Sequence, residues 1–108
     1  MNENLHTEED VLSALDSQVE DYRTMQQVSM DQGRSIARED LPGLSASFER
    51  MHRLMDRIRL RQANLPEDLH VLEARDAKIA GRLEAIRGII RELLRTRKFH
   101  ESSVRHLM

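Results

Sequence analysis

From Leu44 to Leu107 the chain can be stepped alternately by four and three residues without a slip. The positions are Leu44, Phe48, Met51, Met55, Ile58, Gln62, Leu65, Leu69, Leu72, Asp76, Ile79, Leu83, Ile86, Ile90, Leu93, Arg97, His100, Val104 and Leu107, and fifteen of the nineteen are apolar. This spacing draws one stripe along a helix, and a stripe sustained over so many turns must face another helix rather than water. No alternating strand pattern interrupts it. The pattern predicts an all-α chain of three long antiparallel helices, a helical hairpin plus an overhanging C-terminal helix, packed in coiled-coil fashion as a single domain.

Start signals divide the pattern. Thr7-Glu8-Glu9-Asp10 resembles a capping box with acidic residues at the positive helix end, so helix 1 is predicted over about residues 8 to 38. Its seam reads Leu12, Leu15, Val19 and Tyr22, then weakens through Gln26, Ser29 and Gly33, with Met25, Val28 and Met30 as adaptable substitutes. Asp40-Leu41-Pro42 supplies a break, because proline disfavours helical geometry before it but is tolerated in a first turn that Asp40 caps. Helix 2 is predicted over about 41 to 63. Asn64-Leu65-Pro66 repeats the punctuation and opens helix 3 over about 66 to 106; a turn at Pro66 is favoured over one kinked helix, since an interior proline costs about 3 kcal/mol.

Composition narrows the functional classes. The chain of 108 residues has no Cys, no Trp, one Tyr and two Phe, so its core must be aliphatic and methionine-rich. Lack of cysteine removes disulfides and thiolate chemistry. With no long apolar run and an acidic, polar start, neither a membrane span nor a secretory signal is expected, and the default location is cytoplasmic. Charge is divided unevenly: residues 1–49 carry three basic and eleven acidic side chains, a balance of −8, and residues 50–108 fourteen and eight, a balance of +6. Opposite fields favour pairing of the two halves. The alternative is a nucleic-acid surface built from Arg50, Arg53, Arg57, Arg59 and Arg61 with Arg87, Arg91, Arg95, Arg97, Lys98 and Arg105, but aromatic residues for base stacking are nearly absent.

Candidate chemistry is sparse. Two Glu-x-x-His pairs, Glu49/His52 and Glu67/His70, have the spacing used in di-iron helical bundles, yet both fall beside the seam, where their side chains cannot converge on a bundle interior. No phosphate-binding glycine loop or Ser-His-Asp arrangement can be assembled. The expectation is therefore a non-enzymatic protein with no metal and no cofactor. Gln62 and Asp76 are polar flaws in the seam, of the kind that fixes register or lets water in where helices diverge. From Ile86 onward the apolar surface broadens over two stripes, more than one neighbouring helix needs. Ile86, Ile89, Ile90, Leu93, Leu94, Val104 and Leu107 are the candidate partner-binding residues, offering a face to an amphipathic client helix, a second copy of the chain, or a wider internal core.

The run Ile36-Ala37-Arg38-Glu39-Asp40-Leu41-Pro42-Gly43-Leu44, preceded by Leu12, Leu15, Val19 and Tyr22 and followed by Phe48, Met51, Leu54 and Ile58, resembles the FlgN and FliT type of flagellar export chaperone. The likeness covers about residues 10 to 62. It implies a cytoplasmic type III secretion chaperone that holds the helical end of a hook-associated or filament-cap subunit, with the C-terminal helix doing the holding. Two other classes compete with it, a homo-oligomeric structural coiled coil or adaptor, and a nucleic-acid-binding regulator using the arginine-rich helices.

Overall fold

The computed structural model describes residues 7–107, the side chains of His106 and Leu107 excepted. Four helices follow in order: α1 (Glu8–Ala37), α2 (Leu41–Ala63), α3 (Leu69–Arg75) and α4 (Ala77–Leu107). There is no strand among the described residues. Local signals explain the boundaries. Thr7 Oγ1 accepts from the Asp10 N–H at 3.0 Å, and Glu8, Glu9 and Asp10 complement the first turn of α1. At the other end Glu39 takes a left-handed φ of 55°. The Asp40 N–H then reaches the Ser35 carbonyl at 2.8 Å and the Glu39 N–H reaches Ile36 at 3.1 Å, the paired bonds of a Schellman C-cap with glutamate where glycine is usual. Asp40 Oδ1 accepts from Gly43 N at 3.0 Å and starts α2 over Pro42.

The expected third helix is two helices. Asn64 ends α2, its backbone N–H bonded to Arg61, instead of opening the next helix, and the chain turns through Pro66 before α3 begins at Leu69. The second break falls at Asp76, which is extended (φ −127°, ψ 112°). Its Oδ1 accepts from the N–H groups of Lys78 at 2.8 Å and Ile79 at 3.2 Å. A short carboxylate competes with the helical ladder for nearby N–H donors, so the polar flaw in the stripe is the N-cap of α4.

The α1–α2 hairpin is antiparallel, with Asp31 meeting Arg50 near the turn and Asp21 meeting Arg57 and Arg61 further down. α4 lies parallel to α1, as the last of successive antiparallel helices must. Glu8 sits beside Asp76, Asp16 bonds Arg82 at 2.9 Å, and Gly33 faces His100, so both helices advance together. α1 is the central helix, flanked by α2 and α4, and no Cα of α2 lies within 8 Å of a Cα of α4. α3 runs along α4 alone. The result is a slab 48 × 29 × 16 Å.

The core gathers Val11, Leu15, Val19, Tyr22, Met25 and Val28 of α1 with Leu54 and Ile58 of α2 and Ile79 and Ile86 of α4. Leu65, Leu69 and Leu72 pack against it from the α2–α3 segment. The stripe read from sequence is thus not one continuous seam. On α2 the residues buried against α1 are Leu44, Ser47, Leu54 and Ile58, while Phe48 and Met55 are 53% and 37% exposed. Two stripes share Leu44, Met51 and Ile58, and hydropathy selects the one with Phe48 and Met55. Packing selects the other, because small Ser47, fully buried with its hydroxyl bonded to the Leu44 carbonyl at 2.7 Å, lets the helices approach.

Candidate helix-binding cleft

Because α2 and α4 flank α1 without touching, the face of α1 between them is the floor of an open cleft of about 750 Å³. Tyr22, Met25, Ser29 and Gln32 form the floor, and all four are buried by the flanking helices. Phe48, Met51, Met55 and Ile58 form the α2 wall. Ile90, Leu93, Leu94 and Val104 form the opposite wall on α4. This double apolar lining is a consequence of helical period: each flanking helix buries one stripe on α1 and carries a second, about 100° away, that no internal element covers.

The seven residues singled out on the C-terminal helix separate. Ile86 is buried in the core, and Ile89 is half-buried against it without reaching the cleft. Ile90, Leu93, Leu94 and Val104 line the cleft, with Leu94 57% exposed. The Leu107 side chain lies outside the described residues. The α2 wall was missed in the sequence, where Phe48 and Met55 read as internal seam positions. The available signal was that α2 has apolar residues at both 54 and 55, in addition to Phe48, Met51 and Ile58, more than one contact can use.

Polar groups at the site have identifiable roles. His100 leans over Gly33, whose missing side chain makes room: a Cβ there would lie 3.2 Å from the imidazole Nε2. Its buried Nδ1 has no hydrogen-bond partner, and burial holds the imidazole below its usual pKa of 6.5. Burial raises the Tyr22 phenol. Three carboxylates of the acidic half, Asp16, Asp21 and Asp31, pair with arginines inside the molecule. Asp21, buried, lies 3.6 Å from Arg57 and 3.4 Å from Arg61. Asp31 binds Arg50 and Arg34, which together hold its carboxyl below the usual range despite some desolvation. Glu73 is held low in the same way by Arg87, at 2.9 Å across the α3–α4 pair. The arginines of the proposed nucleic-acid face are therefore mostly engaged: Arg50, Arg57, Arg61, Arg87 and Arg91 each face a carboxylate.

Among the described residues no group of three or more His, Asp or Glu has the geometry to hold a metal ion; Glu49 and His52 are both exposed, and His52 lines the cleft. Among the described residues no helix is long and apolar enough to cross a membrane. The fold and cleft define an all-α protein with one central helix and an apolar trough over it. No family model matches the chain, and no curated protein or solved structure matches it.

Proposed function

We propose that this chain is a non-enzymatic helix-binding chaperone and that the α2–α4 cleft receives an amphipathic helix of its client. The observation that carries the reading is the pair of uncovered apolar walls, with Phe48, Met55 and Leu94 exposed on opposite sides of a buried floor. A helix laid over α1 would complete a four-helix arrangement and take these side chains out of water. At about 25 cal/mol per Å² such burial supplies affinity without a nucleotide or cofactor. The finer reading, a cytoplasmic flagellar export chaperone for the helical end of a hook-associated or filament-cap subunit, rests on the likeness of residues 10 to 62 to the FlgN and FliT type. The cleft supports it by supplying a binding face on the C-terminal helix.

The test is titration of the purified chain with C-terminal helical segments of the hook-associated and filament-cap subunits encoded in the same genome. Binding should be one to one, and Met55→Asp with Leu94→Asp should lose it while circular dichroism stays helical, because a carboxylate in a desolvated contact is costly and neither side chain is part of the core. If the intact chain binds none of these segments, the flagellar reading fails. If the double variant binds as well as the parent, the cleft is not the receptor.

A further inference from the structure

Charge is distributed around the cleft in a way that the internal packing does not use. The acidic residues of α1 neutralise arginines on the sides of α2 and α4 that face it: Asp21 takes Arg57 and Arg61, Asp31 takes Arg50, and Asp16 takes Arg82. Arg59, Arg97 and Arg105 instead line the cleft, and the lining contains a single carboxylate, Glu101. Arg59 has only Asp56 of its own helix, at 3.4 Å, and Arg97 only Glu101 of its own helix, at 3.0 Å. The two side chains stay 64% and 73% exposed. Arg105 makes no ion pair among the described residues. Positive charge thus stands on both walls beside a buried floor. The two walls run in opposite directions, since α2 is antiparallel and α4 parallel to α1, and the antiparallel register brings Arg59 opposite the Ile90 end while Arg105 marks the far end.

We propose that the occupant of this cleft is an acidic amphipathic helix of about four turns, with an apolar stripe on α1 and carboxylates on both flanks that meet Arg59 on one wall and Arg97 and Arg105 on the other. The proposal rests on the cleft being a helix receptor and adds the charge and length of what it receives. Length follows from the walls: Ile90 to Val104 at 1.5 Å per residue spans about 21 Å, the rise of about fourteen helical residues. Charge follows from complementarity. A basic helix would set its ammonium groups against three arginines, whereas carboxylates form charge-assisted bonds with planar guanidinium donors and are steered toward them. A nucleic acid would satisfy the arginines but would leave Phe48, Met55 and Leu94 in water.

Three synthetic peptides discriminate these possibilities. They share one leucine and methionine stripe at helical spacing and carry Glu, Gln or Lys at every flanking position, and each is titrated into the full chain by fluorescence anisotropy at low and high salt. The Glu peptide should bind about tenfold more tightly than the Gln peptide, the Lys peptide most weakly, and added salt should compress the series, since exposed pairs are screened. Arg59→Glu with Arg97→Glu should reverse the order, and its circular dichroism should match the parent's because both residues are exposed. Equal binding of all three peptides overturns the charge assignment but leaves the helix receptor standing. Failure of all three to bind overturns both. Sedimentation showing a stable dimer that Leu94→Asp dissociates makes a second copy the occupant, and tight binding of a generic DNA duplex lost in the arginine variant makes it a nucleic acid; each overturns the proposal.

Discussion

The two ends of this slab are built from the same helices and are finished differently. At the base, where α1 and α4 begin, Val11 and Leu15 meet Ile79, and Leu65, Leu69 and Leu72 fill the space that α2 does not reach. Leu15 and Ile79 are fully buried there. At the other end α2 and α4 flank α1 with nothing between them, and Phe48, Met55 and Leu94 remain in contact with water. The difference comes from one short helix. α3 packs on α4 and covers the base, and no equivalent segment among the described residues covers the top. A region whose apolar side chains are buried or half-buried against one another serves stability, whereas one that retains uncovered apolar walls is free to gain energy from a partner.

The contrast makes measurable claims, of which the largest concerns the base. Leu15→Ala and Ile79→Ala should each destabilise by about 2–5 kcal/mol in denaturant unfolding, since both delete well-packed, fully buried side chains. Leu94→Ala should change stability by less than about 0.5 kcal/mol. Similar losses at all three positions would erase the distinction between a closed and an open end.

Amide exchange reads the same contrast without mutation. Protection should be higher over α4 residues 79–90, which back the core, than over 94–105, where α4 has only α1 behind it. Addition of a cleft-binding helix should raise protection in the second segment selectively.

Glu39 sits at the hairpin turn beside the open end in a conformation that suits glycine, so Glu39→Gly should stabilise by about 0.5–1 kcal/mol in the same unfolding experiment. A loss of stability would mean that the glutamate side chain contributes more than its backbone strain costs.

pH gives the smallest and most local effect. His100 has a folded pKa below its unfolded value of 6.5, so the unfolded chain binds more protons and stability declines as pH falls from about 6.5 toward the folded value. Thermal melts at stepped pH should show this decline, and His100→Asn should flatten it. Asp31 and Glu73 are also depressed in the folded state, so what they contribute is present above the ordinary carboxyl range and is lost as pH falls through their lowered values. Asp31→Asn and Glu73→Gln should remove that acid-range component and leave the His100 component in place.

Much of this was readable in the chain, for reasons that are local. Caps depend on side chains within three residues of the backbone they satisfy, so Thr7 and Asp40 announced their helices. Proline announced the interruption near 66, and the charge division announced that carboxylates of α1 would meet arginines of its neighbours. Asp76 was visible as a flaw but not as a boundary, because a short carboxylate in a helical stripe has two outcomes: it turns to solvent, or it takes the next helix's first N–H groups. The choice between them depends on where the following helix must go.

Sequence alone determined that the chain is helical, where its first hairpin turns, and that it carries more apolar surface than a single helical contact can use. Those properties depend on period and on neighbours a few residues away. Only the tertiary structure decided which stripe of α2 faces inward, that α4 packs on α1 without touching α2, and that α3 closes one end alone. Adjacent stripes on one helix differ by about 100° and share residues, so hydropathy separates them poorly, whereas a buried serine that allows close approach separates them at once. The placement of α4 on α1 likewise turns on contacts between residues far apart in sequence, such as Asp16 with Arg82 and Gly33 with His100. The cleft is the sum of those long-range choices, and so it became visible only when the helices were set side by side.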